Sequence, residues 1–200
     1  MTLYLLKPRF QALLRPLVRA LAASGITANA VTLTACGLSV ALGFALCWWR
    51  SRASLFLLLP PFLLLRMAFN AVDGMLAREF GQKSPLGAFL NELSDVVSDG
   101  ALYLPFAFLP HFPWLPVAVT IFLAGLSEMT GTVAVMIGAS RRYNGPLGKS
   151  DRAFLFGLLA LCIGLGMGPA DWQIVIFPAA SFLLSLTVLN RIRAALREIA

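Results

Sequence analysis

The sequence predicts an all-α integral membrane bundle of six spanning helices, preceded by an amphipathic helix at the bilayer surface, in a single domain covering residues 1–200. Three observations carry that prediction. Hydrophobic residues make up 59% of the chain and charged residues 12%, with a mean hydropathy of +0.82. Soluble domains carry about twice that charged fraction, so the apolar surface must face lipid. Six apolar runs follow one another across short connections, most of them close to the ~20 residues that a hydrocarbon core requires. Threading them alternately through a bilayer places thirteen of the sixteen Lys and Arg residues on one side, as the positive-inside rule demands.

Residues 1–26 form the amphipathic segment. Phe10, Leu13, Leu14, Leu17, Val18 and Leu21 recur at helical spacing, while Lys7, Arg9, Gln11, Arg15 and Arg19 take the other positions. This pattern suits a helix lying in the interface, with a plain basic extension as the alternative. No compact apolar core with a small-residue cleavage site follows the first cations, so the segment does not read as a removable signal. Gly25 is placed to end this helix and Thr27 to cap the next.

The spans are expected at 29–49, 53–78, 86–109, 114–139, 153–168 and 172–190. Pro60 and Pro61 interrupt the second and Pro178 the sixth, where they predict kinks. The fifth is short. The third carries Asn91, Glu92, Ser94, Asp95, Ser98 and Asp99 in its first half, so that half must face protein or water. Both termini are expected in the cytoplasm, with Arg50 and Arg52 outside and Arg66 inside the second span. The compact size suggests a bacterial inner membrane. A net charge of +7 distributed between apolar runs points to anionic headgroups as the partner and not to nucleic acid. Cys36, Cys47 and Cys162 stand alone in apolar runs and read as packing residues, and His111 as a plain loop residue. No internal repeat is visible, which argues against a transporter built from two similar halves.

Carboxylates within a membrane are expensive and therefore mark function. Residues three or four apart share a helix face, so Asn70 and Asp73 point the same way, and Gly87, Asn91, Asp95 and Asp99 form one stripe. The two spans are antiparallel neighbours, and at 1.5 Å per residue Asp73 and Asn91 each lie about 7 to 8 Å inside the cytoplasmic helix ends. The resulting cage of carboxylate and amide oxygens suits one or two hard divalent cations, Mg²⁺ or Mn²⁺, which take substrate phosphates as further ligands. Gly74 and Ala77 leave room for a phosphate to approach the backbone. Phosphoryl-type transfer is the chemistry indicated.

The stretch from Asp73 to Asp95 resembles the signature of the CDP-alcohol phosphatidyltransferases, D-x-x-D-G-x-x-A-R, about eight residues, then G-x-x-x-D-x-x-x-D. Asp73, Gly74, Ala77, Arg78, Gly87 and Asp95 match in register, while Asn70 and Asn91 stand where the family has aspartates. The resemblance implies transfer of a substituted phosphoryl group from a CDP-alcohol, such as CDP-diacylglycerol, to an acceptor alcohol with release of CMP, in phospholipid biosynthesis. It implies Asp73 as metal ligand, Asn70 and Asn91 as weaker ones, and Asp95 at the position of the proposed general base. Gly74, Ala77, Arg78 and Gly87 would border the nucleotide, with a snorkelling interfacial cation as the alternative for Arg78. The cytoplasmic cations Arg141, Arg142, Lys149 and Arg152 resemble the family's phosphate-binding residues and suggest an anionic acceptor or headgroup, although topology alone also explains them. Family members are commonly homodimers, and Gly37, Gly43, Gly164 and Gly166 could support close helix contacts.

Two readings fit Asp99: a further metal ligand, or a member of a mid-membrane ion-pair cluster in which Arg66 pairs with Asp99, Glu128 or both. Two other functions remain compatible with the sequence: a member that binds nucleotide or lipid without turnover, and an unrelated cation carrier.

Overall fold

The computed structural model describes residues 7–110, 112–167 and 172–200. His111 therefore lies outside the described residues. Seven α-helices and no strand are found among them.

Helix α1 spans Lys7–Ala23 and ends before Gly25, whose φ of 75° supplies the left-handed turn. Val18 is buried, and Leu14, Leu21 and Ala22 join it against Val72, Met75 and Leu76, while Leu13 and Leu17 remain exposed. Helix α2, Ala28–Trp48, begins at Thr27, whose hydroxyl accepts from the Ala30 amide at 3.2 Å. Its Gly43 lies against the Ala101 carbonyl of helix α4, Pro85–Tyr103, where a Cβ could not fit.

The expected second span divides into a 3₁₀ segment, Ala53–Leu58, and helix α3, Leu59–Glu79. Pro60 and Pro61 consequently do not interrupt a helix. They occupy its first positions, where a missing N–H leaves no bond unmade. Helix α4 likewise gives way to a 3₁₀ segment at Leu104–Phe108, which contains Pro105. Helix α5 covers Trp114–Met136. Helix α6 starts at Lys149, four residues before the expected span, and runs to Gly164. Helix α7, Trp172–Ile199, includes Pro178 and extends nine residues past the expected end of the last span.

Four segments are long and apolar enough to cross a membrane: Ala28–Trp48, Ala53–Glu79, Trp114–Met136 and Trp172–Ile199. Helix α4 carries too many ionisable groups to join them, and α6 has 16 residues, about 24 Å at 1.5 Å each.

The core is divided by chemistry. One half holds an aromatic cluster in which Tyr103 stacks on Phe156 at 3.7 Å and Phe106, Phe112 and Phe177 meet edge-on or tilted. The other half holds the charged groups. Two of the four glycines offered for helix contacts act within the chain: Gly43 as above, and Gly164, whose Cβ would stand 2.5 Å from the Leu57 side chain.

Candidate active site

A cavity of about 620 Å³ opens at the charged end of the bundle, where α2 and α4 begin and α3 ends. Asp73, Gly74, Ala77 and Arg78 reach it from α3, Gly87, Asn91 and Glu92 from α4, and Asn29 and Thr32 from α2, with Gln82, Lys83 and Ser84 contributed by the α3–α4 connection. Six residues singled out in the sequence therefore share one wall: Asp73, Gly74, Ala77, Arg78, Gly87 and Asn91. Asn29, Thr32 and Lys83 are additions. The signal for the first two was available, as two polar residues three apart at the end of an apolar helix.

The glycines have a packing reason. A Cβ on Gly74 would stand 3.0 Å from the Arg78 Nη2, so the guanidinium folds back over that bare turn. A Cβ on Gly87 would stand 2.9 Å from the Asn29 Oδ1 and 3.0 Å from the Ser84 Oγ. The Ser84 hydroxyl also caps α4 by accepting from the Gly87 amide at 2.9 Å. Gln82 fixes the connection to α2 by accepting from the Ala28 amide at 2.6 Å.

Asp73 is 5% exposed, and its Oδ2 accepts from the Thr32 hydroxyl at 2.7 Å. Among the described residues no lysine or arginine pairs with it. A buried carboxylate with a neutral partner is under-compensated, and this one faces a cavity. That observation fits a divalent cation at Asp73. No group of three His, Cys, Asp or Glu side chains converges among the described residues. Magnesium is commonly held by one or two carboxylates, with substrate phosphates and waters completing its shell.

Asp95 stands one helical turn deeper and is engaged on both oxygens. Its Oδ2 meets the Lys149 Nζ at 2.5 Å, and its Oδ1 meets the Arg66 Nη2 at 3.3 Å and the Asn70 Nδ2 at 3.4 Å. Asn70 therefore presents its amide nitrogen to Asp95, and its oxygen has no hydrogen-bond donor among the described residues. Asp99 is paired with Arg66 and, through Oδ2 at 3.1 Å, with Arg152. Of the two readings for Asp99, the ion pair is the one this geometry displays. Glu128 joins the same network through the shared Arg152 at 2.8 Å, and through Arg141 at 3.7 Å and Arg191 at 3.8 Å, and not through Arg66.

The four cations expected to meet a phosphate are engaged elsewhere. Arg152 is 0% exposed because α6 starts early enough to turn it inward, between Asp99, Glu128 and the Ser127 hydroxyl. Arg141 pairs with Glu92, Arg142 with Glu198, and Lys149 with Asp95. The loop that carries them is pinned to α7 by contacts from Thr187 to the Pro146 carbonyl and from Arg191 to the Asn144 carbonyl.

Residues 25–189 match the family model described as CDP-alcohol phosphatidyltransferase. The chain belongs to the CDP-alcohol phosphatidyltransferase family. It is 47% identical over 196 residues to the inner membrane protein YnbA of Escherichia coli K12, covering 98% of this chain and 97% of that one. A second relative, the "Probable phosphatidylglycerophosphate synthase" of Mycobacterium tuberculosis, is 28% identical over 134 residues, 64% of this chain and 60% of that one. The fold is similar to that of the Mycobacterium tuberculosis phosphatidylinositol phosphate synthase PgsA1 solved with CDP-DAG bound, with a TM-score of 0.74 at 20% identity over 90% of this chain and 92% of that one. A structure of the same synthase with manganese and citrate has the same TM-score and identity, covering 90% of this chain and 87% of that one. With its four long apolar helices, this family member is a membrane protein.

Proposed function

We propose that the chain transfers a substituted phosphoryl group from a CDP-alcohol, with CDP-diacylglycerol as the donor, to an acceptor alcohol. The observation that carries this reading is Asp73: a buried carboxylate without a basic partner among the described residues, on the wall of a cavity that also presents Arg78 and Lys83. No described carboxylate pairs with either of those cations, so both are free to meet the diphosphate.

Asp73 would hold a divalent cation, with the amide oxygens of Asn70 and Asn91 as weaker donors. A bound Mg²⁺ or Mn²⁺ supplies charge neutralisation at the diphosphate and at the departing phosphate. Arg78 and Lys83 bind and orient the nucleotide's phosphates, and Gly74, Ala77 and Gly87 let them approach the helices closely. In the transfer, the acceptor hydroxyl oxygen forms a bond to the phosphorus bearing the donor's alcohol, the bond from that phosphorus to the CMP oxygen breaks, and the hydroxyl proton passes to water. Asp95 does not act as the base. Both of its oxygens are already engaged, Oδ2 by Lys149 and Oδ1 by Arg66 and Asn70. Its part is to anchor α3, α4 and α6 around the site.

In this reading all six helices from α2 to α7 cross the bilayer, α1 lies at the surface, and the cavity opens to the cytoplasm. The apolar exposed faces support it: Leu86, Phe89, Leu93 and Val97 on α4, and Phe154, Leu158 and Leu161 on α6, each recur at helical spacing opposite the buried charges. The test is CMP release by the purified chain from labelled CDP-diacylglycerol with Mg²⁺ or Mn²⁺ and a panel of alcohols. Nucleotide binding without CMP release across a broad panel would overturn it. That outcome would favour a non-catalytic nucleotide-binding member, a reading that Asn70 and Asn91 also suit.

A further inference from the structure

We infer that the end of the bundle opposite the Asp73 cavity carries a site for an anionic phospholipid, with its phosphate on Arg50 and an acyl chain along Phe44, Trp48 and Phe108. The inference concerns a different surface from the transfer reading and does not depend on it.

Helix α2 connects the two ends. Ala28, its first residue, lines the Asp73 cavity, and Trp48 is its last, 21 residues in all and about 32 Å at 1.5 Å each. That matches the thickness of a hydrocarbon core. Trp49 follows at the same end, with Trp114 at the start of α5 and Trp172 at the start of α7, so all four tryptophans of the chain gather there. Indole rings concentrate at headgroup level, which marks this end as the second bilayer surface.

A cleft of about 420 Å³ opens at that depth, lined by Phe44, Cys47, Trp48, Arg50 and Phe108. One wall is α2 and the other the 3₁₀ segment that follows α4. Phe44 and Trp48 stand one turn apart with their rings stacked at 5.8 Å, and both are exposed, as is Phe108. Together they make an apolar strip running from the end of α2 toward the middle of the bilayer, which is the course of an acyl chain. Arg50 stands at the outer end of the strip, and no described carboxylate pairs with it. At the other end of the bundle, by contrast, Arg66, Arg141 and Arg152 are matched by carboxylates of the chain.

An unmatched guanidinium beside an apolar strip fits a ligand that joins a negative charge to a hydrocarbon tail. A soluble anion would leave the strip uncovered, and a zwitterionic lipid brings its own cation to the phosphate. A lipid of net negative charge satisfies both features, and the guanidinium can grip its phosphate with two parallel hydrogen bonds.

The test uses the full chain in lipid nanodiscs, with Trp48 left as the sole tryptophan by replacing Trp49, Trp114 and Trp172 with phenylalanine. Its fluorescence is quenched by phosphatidylglycerol or phosphatidylcholine with brominated acyl chains, titrated into unlabelled phosphatidylcholine. Bromine quenches at near contact, so lipid bound at the Asp73 cavity is silent. The expected result is a preference of about fivefold for the anionic lipid, the usual effect of one cation at a headgroup surface. Arg50→Gln should abolish it, and Arg52→Gln, whose side chain does not line the cleft, should leave it intact. A companion protein with Trp114 as its sole tryptophan should show no preference. Equal quenching of Trp48 by the two lipids would overturn the inference and leave the cleft to a partner protein. A preference that survives Arg50→Gln, disappears equally in Arg52→Gln or is shared by Trp114 would overturn it as well, since each would trace the effect to surface charge at large and not to this cleft.

Discussion

At the scale of single residues, the proposed chemistry rests on Asp73 and Thr32. Asp73 is a buried carboxylate without an ion-pair partner among the described residues, and Thr32 fixes one of its oxygens from across the α2–α3 contact. Asp73→Asn keeps the shape and removes the charge, so CMP release should fall by about 100-fold or more, the usual cost of losing a preorganised electrostatic group. Thr32→Val removes the hydroxyl that orients the carboxylate and should weaken Mn²⁺ binding by about 10-fold to 100-fold, read by electron paramagnetic resonance. Unchanged Mn²⁺ affinity in Thr32→Val would mean that Asp73 is held by other contacts. Asn70→Asp adds a charge one turn from Asp73 and should strengthen Mn²⁺ binding. Sequence spacing made Asp73, Gly74, Ala77, Arg78, Gly87 and Asn91 legible because all six lie on two adjacent helices with countable register. Thr32 and Asn29 offered a weaker signal, two polar residues three apart at the end of an apolar helix, and their place beside α3 and α4 is a tertiary fact.

At the scale of elements, the charged network joins α3, α4, α5, α6 and α7. Asp99 accepts from Arg66 and Arg152, and Glu128 from Arg152, with Arg141 and Arg191 nearby. The pairing of Arg66 with Asp99 could be foreseen from depth along antiparallel helices. Arg152 could not, because its role depends on α6 starting at Lys149 and not at residue 153; the spacing from Gly148 to Asp151 was the available hint of that earlier start. Arg152→Met leaves two buried carboxylates short of a partner and should destabilise the fold by about 3–5 kcal/mol. Adding Asp99→Asn should recover part of that loss, with a coupling of roughly 0.5–3 kcal/mol. Denaturant unfolding of the two single variants and the double variant in detergent checks this, and simple additivity would deny the network. Gly43→Ala probes a different contact, since its Cβ would press on the Ala101 carbonyl. Overpacking there should cost about 1–3 kcal/mol.

For the whole molecule, the decisive feature is polarity along the bundle axis. Aromatic packing around Phe106, Phe156 and Phe177 closes one end, and the cavity with its ion pairs occupies the other. Four segments are long and apolar enough to cross a membrane; α4 falls short by its three carboxylates and α6 by its 16 residues. Their exposed faces, Leu86 to Val97 and Phe154 to Leu161, are apolar, which is what the proposed six crossings require. With six crossings the chain's two termini share a side with the cavity, and Ser51, between α2 and α3, lies on the opposite side. Soluble cytidine nucleotides are cytoplasmic reactants, so a CDP-alcohol transferase needs its cavity on that side. A chain with Cys36, Cys47 and Cys162 replaced by alanine gives the measurement. In intact spheroplasts a membrane-impermeant maleimide should label the Ser51→Cys variant, while the Ala200→Cys variant should react after lysis alone. The reverse pattern would put Asp73 and its cavity out of reach of cytoplasmic nucleotide, and labelling of both from outside would remove one of the crossings assigned to α4 or α6.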